Sequence, residues 1–202
     1  YLIDKLGRKP LLIIGTSAMA IALSMATLAF NNATYNFNET TIEKISNPEI
    51  KTALTELNGL SFVSQNELFE NVQPLLNEAE FTEFKQNEIK SFISINATLV
   101  LIAILLYVAA FAISLGPVMW TMLSEIFPGN VKGIAISVVG FFNSLVSYTV
   151  TQFFPWELTN LGPTITFAIY AVMAVLSLVF VLKYVIETKG KTLEEMEKIW
   201  EK

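Results

Sequence analysis

Four long stretches of this chain contain no Asp, Glu, Lys or Arg: residues 10–38, 91–124, 133–156 and 158–182. Each stretch holds an apolar run of about 20 or more residues, the length that a helix needs to cross a hydrocarbon layer about 30 Å thick. A chain of 202 residues has too little remaining sequence to bury four such runs in a soluble core. The sequence therefore predicts an all-α membrane protein with four transmembrane helices.

The proposed spans follow the apolar runs, and two of them begin at a proline, a residue that suits the first position of a helix. Their predicted bounds are Pro10–Phe30, Ile95–Leu123, Ile134–Phe154 and Pro163–Tyr184. We expect Pro155–Gly162 to be the turn between the last two spans.

Basic residues lie before the first predicted span, between the second and third, and around the end of the fourth, whereas the Pro155–Gly162 turn contains none. They are Lys5, Arg8 and Lys9, then Lys132, then Lys183, Lys189 and Lys191. Such residues are enriched on the cytoplasmic side. We therefore expect a multi-pass protein of the inner or plasma membrane, with both ends of this chain in the cytoplasm. Residues 1–30 would form an inner loop and the first span, 31–94 an outer insert, 95–186 the other spans and 187–202 a tail.

The insert contains apolar residues at helical spacing, which predicts a helical cap with three short amphipathic helices. The first group is Ile42, Ile45, Ile50, Leu54 and Leu57, the second is Leu68, Phe69, Val72, Leu75 and Leu76, and the third is Phe81, Phe84 and Ile89. A domain that binds a partner protein and a disordered loop are the alternatives.

The composition excludes several functional classes. The chain has no cysteine and no histidine, which removes disulfides, thiolate metal sites and the usual proton shuttle near neutral pH. Its net charge of −5 argues against a nucleic-acid partner. No acidic residue lies at bilayer depth, so we predict neither an enzyme nor a bound cofactor or metal.

The segment Gly116–Gly133 reads GPVMWTMLSEIFPGNVKG and carries the strongest functional signal. Its Gly-Pro pair should interrupt the second span, and an interrupted membrane helix is tolerated where it lines a cavity or is buried in protein. Trp120 follows within about one turn, with a flat apolar ring and one N–H donor that suit a sugar. The alternative is a tryptophan of the interfacial aromatic belt.

Phe111 and Asn143 are further candidate binding residues. Phe111 lies two and a half turns before Trp120, and the break between them could realign the two rings; lipid-facing packing is the alternative. Asn143, followed by Ser144, lies near the centre of the third span, where an amide facing lipid would be costly. It must face a cavity that holds a polyol or pack against a neighbouring helix.

Acidic and basic residues meet at the cytoplasmic boundary of the predicted spans. Asp4 and Arg8 precede the first span, Glu125 ends the second and Glu187 follows the fourth. Ion pairs among them could hold helix ends together in one conformation and release them in another. A solvated positive-inside anchor is the simpler alternative.

Three blocks of sequence are similar to the sugar porter family of the major facilitator superfamily, close to its bacterial xylose–proton symporters and its facilitative glucose transporters. The block DKLGRKP at Asp4–Pro10 resembles the family's loop between helices 8 and 9. The Gly116–Gly133 segment resembles its helix 10, and ETKGKTLEEME at Glu187–Glu197 resembles the signature after helix 12.

This resemblance implies helices 9–12 of a twelve-helix fold, with the N-terminal half of the same transporter as a partner. It implies sugar contacts for Trp120, Gly116, Phe111 and Asn143, and an inner charge network of Asp4, Arg8, Glu125 and Glu187. Two positions depart from the family pattern. Ser144, which we include among the candidate binding residues, stands where tryptophan is frequent, and Lys132, which we include in the inner charge network, replaces an arginine.

The expected function is transport of a pentose or hexose by alternating access, with proton-coupled symport as the prediction and uniport as its alternative. The partners would be the sugar, the proton and the lipid bilayer. A major facilitator exporter of another small organic solute and a stand-alone four-helix structural membrane protein are the alternatives.

Overall fold

The computed structural model describes residues 5–191 and residue 195. In chain order its helices are α1 (Arg8–Asn31), α2 (Glu39–Ile42), α3 (Pro48–Leu54), α4 (Gln65–Val72), α5 (Glu78–Glu83), α6 (Ala97–Ile113), α7 (Leu115–Ile126), α8 (Lys132–Asn160) and α9 (Gly162–Tyr184), and its strands are β1 (Thr34–Asn36), β2 (Ser61–Phe62) and β3 (Ile93–Ser94). In this described part, four segments are long and apolar enough to cross a membrane: α1, α6 with α7, α8 and α9. The prediction of four transmembrane helices is confirmed.

The second of these segments is interrupted at Ser114, not at the Gly-Pro pair where we predicted the break. Pro117 explains the shift, because a proline lacks the N–H that would bond the carbonyl four residues earlier, and its ring displaces that carbonyl. The carbonyl in question belongs to Ile113, the last residue of α6. Pro117 itself lies in the first turn of α7, where a missing N–H costs little.

Helix α8 continues through Pro155 to Asn160, so its predicted end at Phe154 is wrong. The connection to α9 is also shorter than the predicted eight-residue turn, since Leu161 alone separates the two helices. Gly162 begins α9 with a φ of 81°, a backbone conformation that glycine adopts without strain. Its Cα is covered by the side chain of Gln65 from the insert.

Helix α1 lies at the centre of the membrane part and packs against α6 and α9. Small residues allow this close approach, as in other membrane helices. Gly15 of α1 faces Ser114, and a Cβ at Gly15 would overlap the serine side chain and lie 3.2 Å from the carbonyl oxygen of Ala110. Helix α8 lies at the edge, and its described apolar side chains are largely exposed.

The insert between α1 and α6 is a folded unit with its own core. Every apolar residue that predicted its helices is in that core or packs against it. The first predicted helix is divided into α2 and α3, because Asn47 and Pro48 begin a new helix there. The insert is also not purely helical, since it contains a three-stranded antiparallel sheet in the order β2-β1-β3.

The sheet brings the two ends of the insert together. β1 follows α1 directly and pairs with β3, which precedes α6, with Thr34 opposite Ser94 and Tyr35 opposite Ile93. This pairing places the insert over the ends of α1, α8 and α9, where Phe30 and Phe167 stack with ring centroids 5.3 Å apart. The opposite ends of the same helices carry the charged residues.

Candidate functional site

Arg8 at the start of α1 binds Glu125 at the end of α7. The guanidinium donates from Nε to Oε2 over 3.0 Å and from Nη2 to Oε1 over 2.5 Å. This two-point geometry matches the planar fork of arginine to a carboxylate. The Arg8 side chain is 12% exposed and that of Glu125 is 28% exposed, so the pair is partly shielded from water.

Glu187, which follows α9, caps the first turn of α1. Its Oε1 accepts the backbone N–H of Arg8 over 2.9 Å, and its Oε2 accepts that of Lys9 over 3.1 Å. These N–H groups have no partner within the helix, and the helix dipole favours a negative charge there. The carboxylate therefore ties the start of α1 to the segment after α9.

The pKa of Glu187 reflects this environment. Burial acts to raise the pKa, but backbone N–H groups of Lys189, Arg8, Lys9 and Thr188 bond the ionised form and bring the pKa below its ordinary value. Glu187 is therefore held as a carboxylate at neutral pH.

Gly7 makes room for this carboxylate. It has a φ of 94°, and a Cβ built on it would lie 2.6 Å from Oε2 of Glu187. Any other residue at this position would be strained and would collide with the carboxylate. The glycine in DKLGRKP is explained by this contact.

Thr188 is the member of the cluster that the sequence did not reveal. Its hydroxyl donates to Oε2 of Glu125 over 2.5 Å, and the residue is buried. Its position beside Glu187 in the ETKGK block is the only sequence signal for it. Arg8, Glu125, Glu187 and Thr188 are called the inner charge cluster below.

Two predicted members of the charge network are not joined to this cluster. Asp4 lies outside the described residues. Lys132 begins α8, and within residues 5–191 it forms no ion pair with Glu125 or Glu187.

The predicted sugar-binding residues lie around the break at Ser114. Phe111 lies in the last turn of α6, and its ring extends across the break, so that Cε1 would be 3.4 Å from a Cβ at Gly116. Trp120, two turns into the other side, is 45% exposed. Its Cη2 would be 4.0 Å from a Cβ at Gly140, so the indole reaches towards α8.

Asn143 and Ser144 lie three and four residues after Gly140 on α8, which places them on the same face of that helix. Both are exposed in the described structure. The indole of Trp120 and the amide of Asn143 therefore border one surface formed by α7 and α8. The sequence predicted both residues, but not that Gly140 is the point where the indole meets α8.

The structure also contains a cavity of about 460 Å³ among α1, α6, α8 and α9. Its described wall is mainly apolar and includes Tyr107, Tyr170 and Ser177, but not Trp120 or Asn143. The surface bordered by Trp120 and Asn143 is thus separate from this cavity.

Comparison with known proteins identifies a matching family model and several relatives. Residues 81–200 match the family model described as "Sugar (and other) transporter". The D-xylose-proton symporter of Escherichia coli strain K12 is 44% identical over 107 residues, covering 50% of this chain and 22% of that protein. The facilitated glucose transporter member 12 of Xenopus laevis is 29% identical over 238 residues, covering 98% of this chain and 39% of that protein.

A solved structure extends the match to nearly the whole chain. The inward open conformation of the xylose transporter XylE from E. coli superimposes with a TM-score of 0.62 at 32% sequence identity, covering 98% of this chain and 31% of that protein. The chain thus spans between about one fifth and two fifths of the length of these relatives. With the family model matching more than half of its residues, the chain belongs to the sugar porter family of the major facilitator superfamily.

Proposed function

We propose that this chain is the helix 9–12 part of a transporter that moves a monosaccharide across the membrane by alternating access, together with a proton. Its relatives include proteins named for xylose, arabinose and glucose transport, and two of those names specify a proton. The sugar is a pentose or a hexose.

The observation that carries this proposal is the surface bordered by Trp120 and Asn143. The indole offers a flat face to the C–H groups of a sugar ring and one N–H donor to a hydroxyl. The amide of Asn143 offers two donors and one acceptor. Phe111 packs against Gly116 in this conformation, and we propose that both residues line the sugar site when the Phe111 ring moves aside. Ser144 contributes a smaller and less apolar side chain to the proposed site than a tryptophan would.

The exposed polar side chains of α8 support a partner at this surface. Ser147 follows Gly140 by seven residues and so shares its helix face with Asn143 and Ser144, and all three are exposed. We propose that the N-terminal half of the transporter covers this face and closes the sugar site between the two halves. Phe141, Phe142 and Leu145, which are 64%, 58% and 48% exposed, lie on the other faces of α8. The bilayer covers the remaining apolar surface.

The inner charge cluster is the proposed inner gate. The arrangement of basic residues supports a cytoplasmic position for this end, with the insert outside. The Arg8–Glu125 pair and the Glu187 cap would hold the inner ends of α1, α7 and α9 together in the outward-facing state. We propose that Lys132 approaches the carboxylates in the other state, and we keep Asp4 in the network on the family resemblance alone.

Uptake by the complete transporter in proteoliposomes tests this function. A panel of labelled pentoses and hexoses is offered with and without an inward proton gradient. Proton-coupled transport predicts accumulation of at least one sugar above equilibrium, abolished by a protonophore. Uptake that never exceeds equilibrium would contradict the coupling, and transport of none of the sugars would contradict the function.

A further inference from the structure

A groove of about 580 Å³ separates the insert from the ends of α8 and α9. It is called the interface groove below. Its membrane side includes Phe154, Leu158 and Phe167, and its insert side includes Ile89 and Ile93. Its volume lies within the range of about 300–1,000 Å³ that small-molecule sites occupy.

The interface groove has a charge opposite to that of the insert around it. Residues 31–94 contain ten acidic and four basic residues. Two of the four basic residues, Lys85 and Lys90, line the groove, and its described lining contains no carboxylate. The insert is acidic overall, yet half of its basic residues line the mainly apolar interface groove.

The local backbone explains how the lysines come to face the groove. Residues Phe84–Glu88 form one π-helical turn after α5. Phe84 and Glu88 point into the core of the insert, and Glu88 accepts a hydrogen bond from the backbone N–H of Ser46. Lys85 and Ile89 are then left on the groove side. The Lys85 ammonium lies 4.9 Å from the centre of the Phe81 ring, a cation–π distance.

The position of the groove along the helices indicates the chemistry of a suitable occupant. The membrane side is built from the final turns of α8 and the first turns of α9, which are the ends of two membrane-spanning segments. With α8 and α9 crossing a bilayer, walls at their ends would adjoin the acyl chains, and insert lysines that line the same groove would lie near the headgroups. A small water-soluble anion has no apolar surface that could pack against the aromatic and aliphatic walls.

We propose that the interface groove binds an anionic phospholipid, with an acyl chain between the aromatic walls and its phosphate at Lys85 and Lys90. Lysine ammoniums near a membrane surface attract anionic headgroups. The basic lipid pockets known beside membrane helices lie on the cytoplasmic or matrix side, and the interface groove would be their counterpart on the side of the insert. The bound lipid would connect the insert to the α8–α9 turn. This site is independent of the proposed sugar site, and its test requires no transport.

The test measures lipid binding to the complete transporter in detergent by native mass spectrometry. Phosphatidylglycerol and phosphatidylcholine with identical acyl chains are compared, and glycerol 3-phosphate serves as a headgroup without chains. The Lys85→Gln/Lys90→Gln variant removes the two groove lysines. The Lys44→Gln/Lys51→Gln variant removes the same charge from the insert outside the groove and is the matched control.

The proposal predicts that phosphatidylglycerol binds the unaltered protein at least fivefold more tightly than phosphatidylcholine. The groove variant should lose about tenfold or more of that affinity, and the control variant should keep it. Glycerol 3-phosphate should not compete. Equal binding of the two lipids by the unaltered protein would overturn the proposal without any variant. Equal losses in the two variants, or competition by glycerol 3-phosphate at the lipid's own concentration, would overturn it as well.

Discussion

The guanidinium of Arg8 and the carboxylate of Glu125 form a two-point ion pair although the residues are 117 positions apart in the sequence. The pair joins the start of one membrane helix to the end of another. Glu187 bonds the backbone at the same helix start, and Thr188 bonds Glu125. Three chain segments thus converge on one partly buried group of charges.

Arg8 and Glu125 are expected to be energetically coupled. Arg8→Gln and Glu125→Gln should each destabilise the protein, and the double variant should be less destabilised than the sum, by about 1 kcal/mol or more. Thermal unfolding of the four proteins in detergent measures this coupling. The matched cycle of Glu125→Gln with Lys44→Gln should be additive, because Lys44 lies in the insert at the other end of the membrane helices. Additive behaviour of the Arg8 pair would show that the contact contributes nothing.

Acid should weaken the Glu187 cap. The pKa of Glu187 in the folded protein lies below its ordinary value of 4.5. The stability that this carboxylate contributes is therefore fully present above the ordinary pKa and is lost as the pH falls through the lowered one. The melting temperature of the unaltered protein should fall more steeply below pH 4.5 than that of Glu187→Gln. Parallel pH profiles of the two proteins would refute the cap.

Gly7→Ala should be more destabilising than Gly59→Ala. Both glycines have positive φ, 94° and 87°, so each alanine suffers a similar backbone strain of about 1–2 kcal/mol. A Cβ at Gly7 also displaces the carboxylate of Glu187, whereas a Cβ at Gly59 meets nothing within 4 Å. Melting temperatures of the two variants measure the difference, and equal losses would mean that Gly7 is required only for its backbone conformation.

Gly15→Ala should destabilise the contact between α1 and the break at Ser114. Overpacking costs about 1–3 kcal/mol, and the new methyl group overlaps the Ser114 side chain. Ser114→Gly in the same protein should restore part of the loss. Gly133→Ala on α8 is the control, because a Cβ there meets nothing within 4 Å and alanine favours a helix. A Gly15→Ala protein as stable as this control would contradict the close approach.

The sequence predicted the membrane spans well because an absence of charge over 20 residues is a direct consequence of the bilayer. It predicted their ends less well. Pro155 suggested a stop, but α8 tolerates this proline within its last two turns. The break at Ser114 lies earlier than Pro117 because proline acts on the carbonyl four residues before it.

The strands of the insert could not be predicted, since two or three residues are too few to show an alternating pattern. The apolar residues of its core were predicted correctly because their spacing reflects burial. Within the candidate site, the charged members were visible as motifs. Gly140 and Thr188 were not, because their roles arise from contacts between segments that are distant in sequence.

Sugar binding by the Trp120→Ala variant tests the central claim most directly. Equilibrium binding and counterflow of the preferred sugar are measured in the complete transporter, beside Trp156→Ala, which removes an indole of comparable exposure from the far end of α8. We predict that Trp120→Ala inserts normally but loses nearly all sugar binding, whereas Trp156→Ala binds like the unaltered protein. Unchanged sugar affinity in Trp120→Ala would contradict the assignment of this surface as the sugar site.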